Sequence, residues 1–208
     1  MPLIDTPVTI FWFRRDLRLS DNHGLCRALT RSSAVLPVFI FDRLILGQLP
    51  SKQDRRVSFI HTLVDELNTR LTALGSALYV LHEKPVEAFA LLTRQFRVHE
   101  VIANHDYEPY AIERDAAVSA FLATRNIALT TYKDQVVFEK DEITKSDGTP
   151  YTVFTPYAKA WKRQLSTQGI SNYPSEQHLG ALARLSSPGV PGLDTLGFEA
   201  MSPGPAPL

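Results

Sequence analysis

Short apolar segments alternate with longer amphipathic segments along most of the chain. The short segments are rich in β-branched and aromatic residues, and they have the length of strands rather than helices. Each is apolar at nearly every position, which is typical of strands that are covered on both faces. Five strands are predicted, at residues 8–13, 34–41, 77–81, 101–104 and 127–132.

The segments between the predicted strands have the features of helices. At residues 60–74 apolar side chains recur every three or four positions, and Gly75 is well suited to end that helix. Asn22 and the two residues before it offer side chains that cap a shorter helix. The predicted helices span about residues 23–30, 60–74, 86–96 and 110–122.

Strands that are apolar on both faces and alternate with helices favour a parallel sheet with helices on each side. The predicted fold class is therefore α/β, with a doubly wound, Rossmann-like parallel sheet of five strands and helices on both faces. In such a sheet the ligand crevice lies beyond the carboxyl ends of the strands. Residues that directly follow the strands are thus the first candidates for a functional site.

The pattern changes after the fifth predicted strand. At residues 134–149 no period is visible, and Asp147-Gly148 indicates a turn of the kind that joins hairpin strands. Thr155-Pro156 favours the start of a helix that runs to Leu165. Residues 186–208 contain four Gly and five Pro, a Gly/Pro-rich C-terminal tail that we interpret as a linker or a disordered segment.

Composition and charge narrow the functional classes. Lys+Arg and Asp+Glu number 22 each among the 208 residues, so net charge gives no reason to expect nucleic-acid binding. Cys26 is the single cysteine, which excludes an intrachain disulfide and a cysteine-based zinc site. No apolar run approaches the ~18 residues of a membrane helix, and the N-terminus lacks a signal-peptide pattern. We expect a cytoplasmic protein with no membrane partner.

The common catalytic and nucleotide-binding motifs are missing from the sequence. It contains no G-x-G-x-x-G, P-loop, G-x-S-x-G or H-E-x-x-H pattern. The loop after the first predicted strand is rich in arginine and has Gly24 as its only glycine. A stand-alone nucleotide-binding α/β protein is therefore an alternative that this loop disfavours.

The most informative segment is residues 11–22, which leaves the end of the first predicted strand. Its sequence is FWFRRDLRLSDN, and it brings three arginines and Asp16 to the expected crevice. Arg14 or Arg15 could pair with Asp16, because a guanidinium can give a carboxylate two hydrogen bonds. Such a pair could serve a binding site or could only fix the loop, and both interpretations stay open.

Three segments of the chain resemble the photolyase/cryptochrome family. They occur in the family's order and lie on the predicted five-stranded frame, so the resemblance covers about residues 8–165. The segments are residues 12–22, residues 104–110 followed by Glu113-Arg114-Asp115, and residues 151–157 with Lys159 and Trp161.

The resemblance implies the N-terminal light-harvesting domain of a DNA photolyase. Members of the family repair pyrimidine dimers with blue light, as deoxyribodipyrimidine photo-lyases, or sense light, as cryptochromes, and this sequence does not separate the two. Their FAD lies in a separate helical C-terminal domain. Their N-terminal domain often holds an antenna pigment, which is a folate, a deazaflavin or a flavin.

On this resemblance residues 1–170 are expected to form the antenna domain, and residues 171–208 the linker to an FAD-binding helical domain that is absent. FAD and damaged DNA would then be bound only by the intact protein, and residues 1–208 alone would repair no dimers. We expect an apolar surface near Trp161 or within residues 151–157 to mark where the missing helical domain packs.

Eight residues are predicted to bind the antenna pigment. By resemblance to deazaflavin-binding members, Asp106 would accept a hydrogen bond from a ring N–H, and Arg56 would donate one to a carbonyl oxygen. The others lie at or just after the carboxyl ends of the predicted strands and would line the crevice. The candidate residues are Arg14, Phe39, Phe41, Arg56, Asn104, Asp106, Glu108 and Tyr110.

Each of the more specific roles has a structural alternative. Asp106 could cap the turn before the following helix. Arg56 could be a solvated helix residue, Phe39 and Phe41 could be ordinary core residues, and Glu108 could pair with an arginine of the first loop.

The pigment class follows from one departure from the family pattern. Folate-binding members tend to carry an Asn-Glu pair where this chain has Tyr110 and Ala111. Neither of these side chains supplies a carboxylate for a pterin ring. The resemblance therefore favours a deazaflavin or a flavin over a folate, and a domain that holds no pigment is the remaining alternative.

Overall fold

The computed structural model describes residues 6–186 and 188–201 of the chain. Its centre is one sheet of five parallel strands in the order β3-β2-β1-β4-β5. The strands are β1 (Val8–Phe13), β2 (Val35–Asp42), β3 (Tyr79–Glu83), β4 (Val98–Asn104) and β5 (Ala128–Tyr132).

Helices connect the strands and continue after β5. They are α1 (His23–Arg31), α2 (Arg43–Leu46), α3 (Arg55–Ala73), α4 (Pro85–Gln95), α5 (Pro109–Ala123) and α6 (Phe154–Gln168), with two short 3-10 helices at Lys140–Glu142 and Ser175–Ala181. Within residues 6–186 and 188–201, none of these helices has both the length and the apolar character needed to cross a membrane.

Both faces of the sheet are buried, and alternation along β1 shows how. Phe11 and Phe13 belong to a buried cluster that also contains core residues of α1 and α3. Ile10 and Trp12 point the other way, into a second cluster that contains residues of α4 and α5. Successive residues of a strand face opposite sides of the sheet. A central strand that is covered on both faces is therefore apolar at nearly every residue. The predicted doubly wound parallel sheet is thus confirmed.

Two helical features are not predicted correctly, the start of α3 and the whole of α2. Helix α3 begins at Arg55, before the predicted start at residue 60, because Asp54 caps it by accepting a hydrogen bond from the Arg56 amide. The first turn was missed since its arginines carry no apolar signal. Helix α2, a single turn capped by Asp42, also has no periodic pattern because none of its residues is buried.

The segment after β5 holds a turn but no hairpin. Gly148 has a φ of +79°, and its amide donates to the Lys145 carbonyl oxygen at 2.9 Å, as expected for a tight turn. The described residues 134–149 contain no strand, only the 3-10 helix Lys140–Glu142. The hairpin expectation is therefore wrong, since Asp-Gly marks a turn whether or not strands flank it.

The C-terminal segment packs against the sheet and α3. The Ala183 amide donates to the Val35 carbonyl oxygen at 2.7 Å, and Ser76 Oγ donates to the Ala183 carbonyl oxygen at 2.7 Å. Leu196 and Phe198 are buried in the same cluster as the core face of α3. The sequence predicts a linker or a disordered segment for this tail, but its residues 188–201 are packed, while residues 187 and 202–208 lie outside the described part. Its role as a linker stays a prediction.

Candidate functional site

A cavity of about 430 Å³ lies at the carboxyl edge of the sheet. It is bounded by the ends of β1 and β2, by α2 and the start of α3, and by the segment that leads from β4 into α5. Its apolar lining residues are Trp12, Phe13, Phe39, Ile40, Phe41, Ile45, Leu46, Leu49, Val57, Ile60 and Ala111. The polar ones are Arg14, Arg15, Asp42, Arg56, Asp106, Glu108, Tyr110 and Arg114.

Two guanidinium groups meet the Trp12 indole at one side of the cavity. The Cζ atoms of Arg14 and Arg114 each lie 4.9 Å from the centre of that ring, within range of a cation–π interaction. Asp115 receives two hydrogen bonds from Arg14 Nη1, at 2.8 and 2.6 Å, and one from Arg114 Nε at 3.0 Å. Burial lowers the pKa of Arg14, and the Asp115 carboxylate acts in the opposite direction.

A tyrosine–carboxylate pair forms another part of the wall. Tyr110, in the first turn of α5, donates its hydroxyl hydrogen to Asp42 Oδ2 at the end of β2. Burial and this hydrogen bond raise the pKa of Tyr110, so its phenol is neutral at physiological pH. Asp42 also caps α2 by accepting from the Leu44 amide at 2.9 Å. The pair therefore fixes the Tyr110 ring beside the cavity.

Asp106 is a nearly buried carboxylate with few partners. Its side chain is 8% exposed, and it accepts one long hydrogen bond, from the Glu108 amide at 3.4 Å. Arg15 Nε and Arg114 Nη2 each lie 3.8 Å from Asp106 Oδ2. The cap of the turn is thus present but weak, and the carboxylate retains capacity to accept a hydrogen bond from a ligand.

Two further residues lie at the mouth of the cavity. Glu108 pairs with Arg15 at 3.1 Å, which confirms the expected contact with a loop arginine. The side chain of Arg56 is 72% exposed and binds Asp54 through Nε at 3.0 Å and Nη2 at 2.6 Å. Arg56 is thus a solvated helix residue here, although it borders the cavity.

Asn104 lies outside the cavity lining, in a buried network behind it. Its Nδ2 donates to Asp16 Oδ2 at 2.6 Å and to Asn22 Oδ1 at 2.8 Å, and its Oδ1 accepts from the Gly24 amide at 2.8 Å. These bonds join the end of β4 to the start of α1. Of the eight predicted site residues the structure brings seven together around the cavity, and it separates Asn104 from them.

The expected pairing of Asp16 with Arg14 or Arg15 is wrong. The two guanidinium groups bind Asp115 and Glu108 instead. Asp16 is nevertheless held, since its Oδ1 accepts from the Arg14 backbone amide at 2.9 Å and its Oδ2 from the side-chain amide of Asn104. Neutral amide donors satisfy this buried carboxylate, so no arginine is needed beside it.

Sequence reasoning missed Trp12 and Arg114 as lining residues. Arg114 follows Tyr110 by four positions in α5, and residues at that spacing share one face of a helix. That spacing was the available signal, since Tyr110 was already a candidate. Trp12 lies between core residues of β1 and is itself buried, and within a continuous apolar run nothing distinguishes a cavity-lining residue from a core residue.

Comparison with known proteins agrees with the fold and the cavity. The sequence matches the DNA photolyase family over residues 9–176. A deoxyribodipyrimidine photo-lyase from Synechococcus sp. is 35% identical over 196 residues, which cover 91% of this chain and 40% of that protein. Cryptochrome-2 from Arabidopsis thaliana is 35% identical over 162 residues, which cover 76% of this chain and 25% of that protein.

A solved structure extends this likeness to three dimensions. An archaeal photolyase from Sulfolobus tokodaii with two FAD molecules superposes with a TM-score of 0.69 at 26% identity, over 91% of this chain and 40% of that one. The fold is that of an α/β domain with a cavity at the carboxyl edge of its parallel sheet. The chain belongs to the DNA photolyase family. It spans 40% of the length of the Synechococcus photo-lyase.

Proposed function

We propose that the cavity binds a flavin or deazaflavin pigment and that this chain is the light-harvesting part of a DNA photolyase. The observation that carries the proposal is a cavity of about 430 Å³ whose walls are mostly apolar and aromatic, with a few carboxylate and guanidinium groups. Planar heteroaromatic ligands are bound in pockets of this kind. When bound, the pigment would absorb light and pass the excitation energy to FAD elsewhere in the intact protein.

The residues around the cavity fit this ligand class. Asp106 has an acceptor position free for a ring N–H, since its one hydrogen bond is 3.4 Å long. Phe39 and Phe41 offer apolar surface to a ring system, and their rings lie 4.9 Å apart. Arg56 can reach a pigment carbonyl only by giving up one of its bonds to Asp54. We therefore propose that Asp106 contributes more to pigment binding than Arg56 does.

A folate fits these residues less well. The Tyr110 hydroxyl is already committed to Asp42, and Ala111 is buried and apolar. No carboxylate occupies either position to bind a pterin ring. The Sulfolobus photolyase, which holds two FAD molecules with the implication of a novel light-harvesting cofactor, supports a flavin as the antenna pigment proposed for this chain.

An absorption titration tests the proposal. The purified chain is mixed with 5-deazariboflavin, FMN or methenyltetrahydrofolate, and the visible band of each compound is followed. A deazaflavin or flavin band should shift on binding to the wild-type chain and to Asp65→Ala, which alters an exposed carboxylate of α3. Binding should weaken strongly in Asp106→Ala. If none of the three compounds binds, the chain is a scaffold without pigment.

The activity of the intact protein is a second part of the proposal. The Synechococcus relative is a photo-lyase, and we propose the same light-driven repair of pyrimidine dimers for the protein that contains this chain. A cryptochrome is the alternative, because the Arabidopsis relative is equally identical at 35%. Irradiated DNA would be restored under blue light by the longer protein in the first case and left damaged in the second.

We further propose that a docking patch on and beside α6 packs on a helical FAD-binding domain. Ala160 is the only buried residue of α6, so most side chains of this helix are not covered by another part of the described chain. Phe154 is 79% exposed and Ile170 is 73% exposed, which is unusual for large apolar side chains. The patch consists of Val153, Phe154 and Tyr157 at the start of α6, and the exposed Val136 and Ile170 lie at the other end of that helix.

The docking patch is tested by the behaviour of the chain at high concentration. Wild type should self-associate weakly in sedimentation experiments, and Phe154→Glu should reduce this without changing the free energy of unfolding. Phe59→Glu, which alters an exposed phenylalanine on α3, is the matched control and should retain the association. A wild-type chain that stays monomeric and binds no apolar dye would contradict the patch.

A further inference from the structure

Arg114 is nearly buried at the edge of the cavity, and its hydrogen bonding is incomplete. Its side chain is 9% exposed, and its Cζ lies 4.9 Å from the Trp12 ring and 6.0 Å from the Tyr110 ring. Among the hydrogen bonds of the described residues, the guanidinium makes one, from Nε to Asp115 Oδ1 at 3.0 Å. Nη2 lies 3.0 Å from Asp115 Oδ1 without hydrogen-bond geometry, and it is buried with no hydrogen-bond partner among those residues.

This state is unfavourable for an arginine. A guanidinium carries five N–H donors, and leaving buried donors of a charged group unpaired costs more free energy than leaving neutral ones. Arg14 stacks on the same indole but is well paired, with Nη1 on Asp115 and Nη2 on the Asn104 carbonyl oxygen. The two arginines share an aromatic ring and a carboxylate, yet among the described residues only Arg114 has a buried nitrogen without a hydrogen-bond partner.

The groups near Arg114 define the chemistry of a partner. Nη2 lies 3.8 Å from Asp106 Oδ2, so a cationic donor and an anionic acceptor stand side by side at the cavity. A ligand edge that offers a carbonyl oxygen next to a ring N–H would satisfy both groups at once. Cyclic imides have this edge, and the pyrimidinedione ring of flavins and deazaflavins is one of them.

We infer that Arg114 is a specificity-determining contact that donates to a pigment carbonyl beside the N–H that donates to Asp106. This inference rests on the proposed function, and it adds Arg114 as a contact and the orientation of the pigment in the cavity. The imide edge of the pigment faces α5, and its apolar rings lie toward Val57 and Ile60 of α3. Arg14 then serves to hold Asp115 and Trp12 in place.

Arg114→Met tests the inference, because methionine keeps an unbranched apolar stem and removes every donor. Asp115 retains its two bonds from Arg14 in this variant, so the loop keeps its anchor. Affinity for 5-deazariboflavin and riboflavin should fall about 10-fold or more, as expected for a lost hydrogen bond from a charged donor. Arg125→Met is the matched control, since Arg125 also stacks on an aromatic ring, that of Phe121, but lies outside the cavity.

A second ligand separates recognition from packing. Proflavine is a planar tricyclic cation without carbonyl groups, so its affinity should be unchanged or higher in Arg114→Met. An equal loss for proflavine and the flavins would overturn the inference, because it would show that Arg114 only maintains the cavity. Unchanged flavin affinity in Arg114→Met would overturn it as well.

A vibrational measurement covers the case in which Arg114→Met fails to fold. In Arg114→Lys the charge remains but the fixed guanidinium geometry is lost, and the carbonyl stretching frequency of bound flavin should rise relative to wild type. An identical frequency in both proteins would overturn the inference. Failure of wild type to bind any flavin or deazaflavin is a different result, which overturns the proposed function and this inference together.

Discussion

Two groups of polar residues at the carboxyl edge of the sheet are built from similar side chains and differ in how completely they are paired. In the network around Asn104, each side-chain amide atom of that residue has a partner within the chain. At the cavity, Asp106 has one long hydrogen bond and Arg114 has a buried nitrogen with none among the described residues. The difference teaches that pairing, rather than residue type, separates a structural polar cluster from a binding site.

The largest expected effect is on the paired network. Asn104→Ala removes three hydrogen bonds and leaves Asp16 and the Gly24 amide buried with fewer partners. We expect a loss of about 3 kcal/mol or more in the free energy of unfolding, measured by urea denaturation. Exposed Asn172→Ala should change it by less than about 0.5 kcal/mol. Similar losses of stability in Asn104→Ala and Asn172→Ala would show that the Asn104 network does not stabilise the fold, which would contradict the comparison with the cavity.

A somewhat smaller effect is expected from the glycine that contacts this network. A Cβ at Gly24 would lie 2.6 Å from Asn104 Oδ1 and 3.0 Å from a Phe11 ring atom. Gly24→Ala should therefore lower stability by about 2 kcal/mol, although alanine is the better helix former. In Gly180→Ala the added Cβ meets no atom within 4 Å, so this variant should be neutral or stabilising in the same urea denaturation experiment. Stabilisation by Gly24→Ala would show that Asn104 is free to move.

The loosely paired cavity should respond in the opposite way. Asp106→Asn removes a charge whose contacts within the chain are long, one hydrogen bond of 3.4 Å and two ion pairs of 3.8 Å. The free energy of unfolding should therefore change by less than about 1 kcal/mol. Affinity for a flavin or deazaflavin should fall about 10-fold, because a carboxylate accepts more strongly than an amide. Calorimetric titration and urea denaturation of the same samples measure both. A stability loss as large as that of Asn104→Ala would make Asp106 a structural residue.

The smallest effect is a pH dependence at the start of α1. The ring of His23 stacks on Tyr173 at 3.7 Å and its Nδ1 donates to the Lys133 carbonyl oxygen at 2.8 Å. Burial lowers the pKa of His23 below its ordinary value of 6.5, so the proton binds the unfolded chain more tightly. The contribution of His23 is complete above that value and is lost as the pH falls below it.

His23→Gln isolates this contribution. Between about pH 7.5 and about pH 5.5 the wild-type chain should lose more stability than His23→Gln does. His178→Gln, at an exposed histidine, should follow the wild type. Identical pH profiles for wild type and His23→Gln would show that the stacked ring titrates as a free histidine does.

The strands were predictable from sequence because burial on both faces leaves a continuous apolar run, as in β1 and β2. Most residues of the candidate site were also predictable, since parallel strands bring their carboxyl ends to one edge of the sheet. The hydrogen-bond and ion-pair partners of the polar residues were not predictable from the sequence. Arg14 binds Asp115, which lies 101 positions away, and nothing local in the sequence favours Asp115 over the nearby Asp16. The turn of α2 was missed for a related reason, because its residues are exposed.

The packed C-terminal segment changes the length of chain that folds as one body. The family match ends at residue 176, but Leu196 and Phe198 fill the core beside α3, and the Met201 amide donates to Ser58 Oγ at 3.2 Å. During synthesis that face of α3 stays uncovered until the segment has left the ribosome, so a chaperone would meet apolar surface there. An expression boundary chosen at the end of the family match would leave the same surface permanently bare.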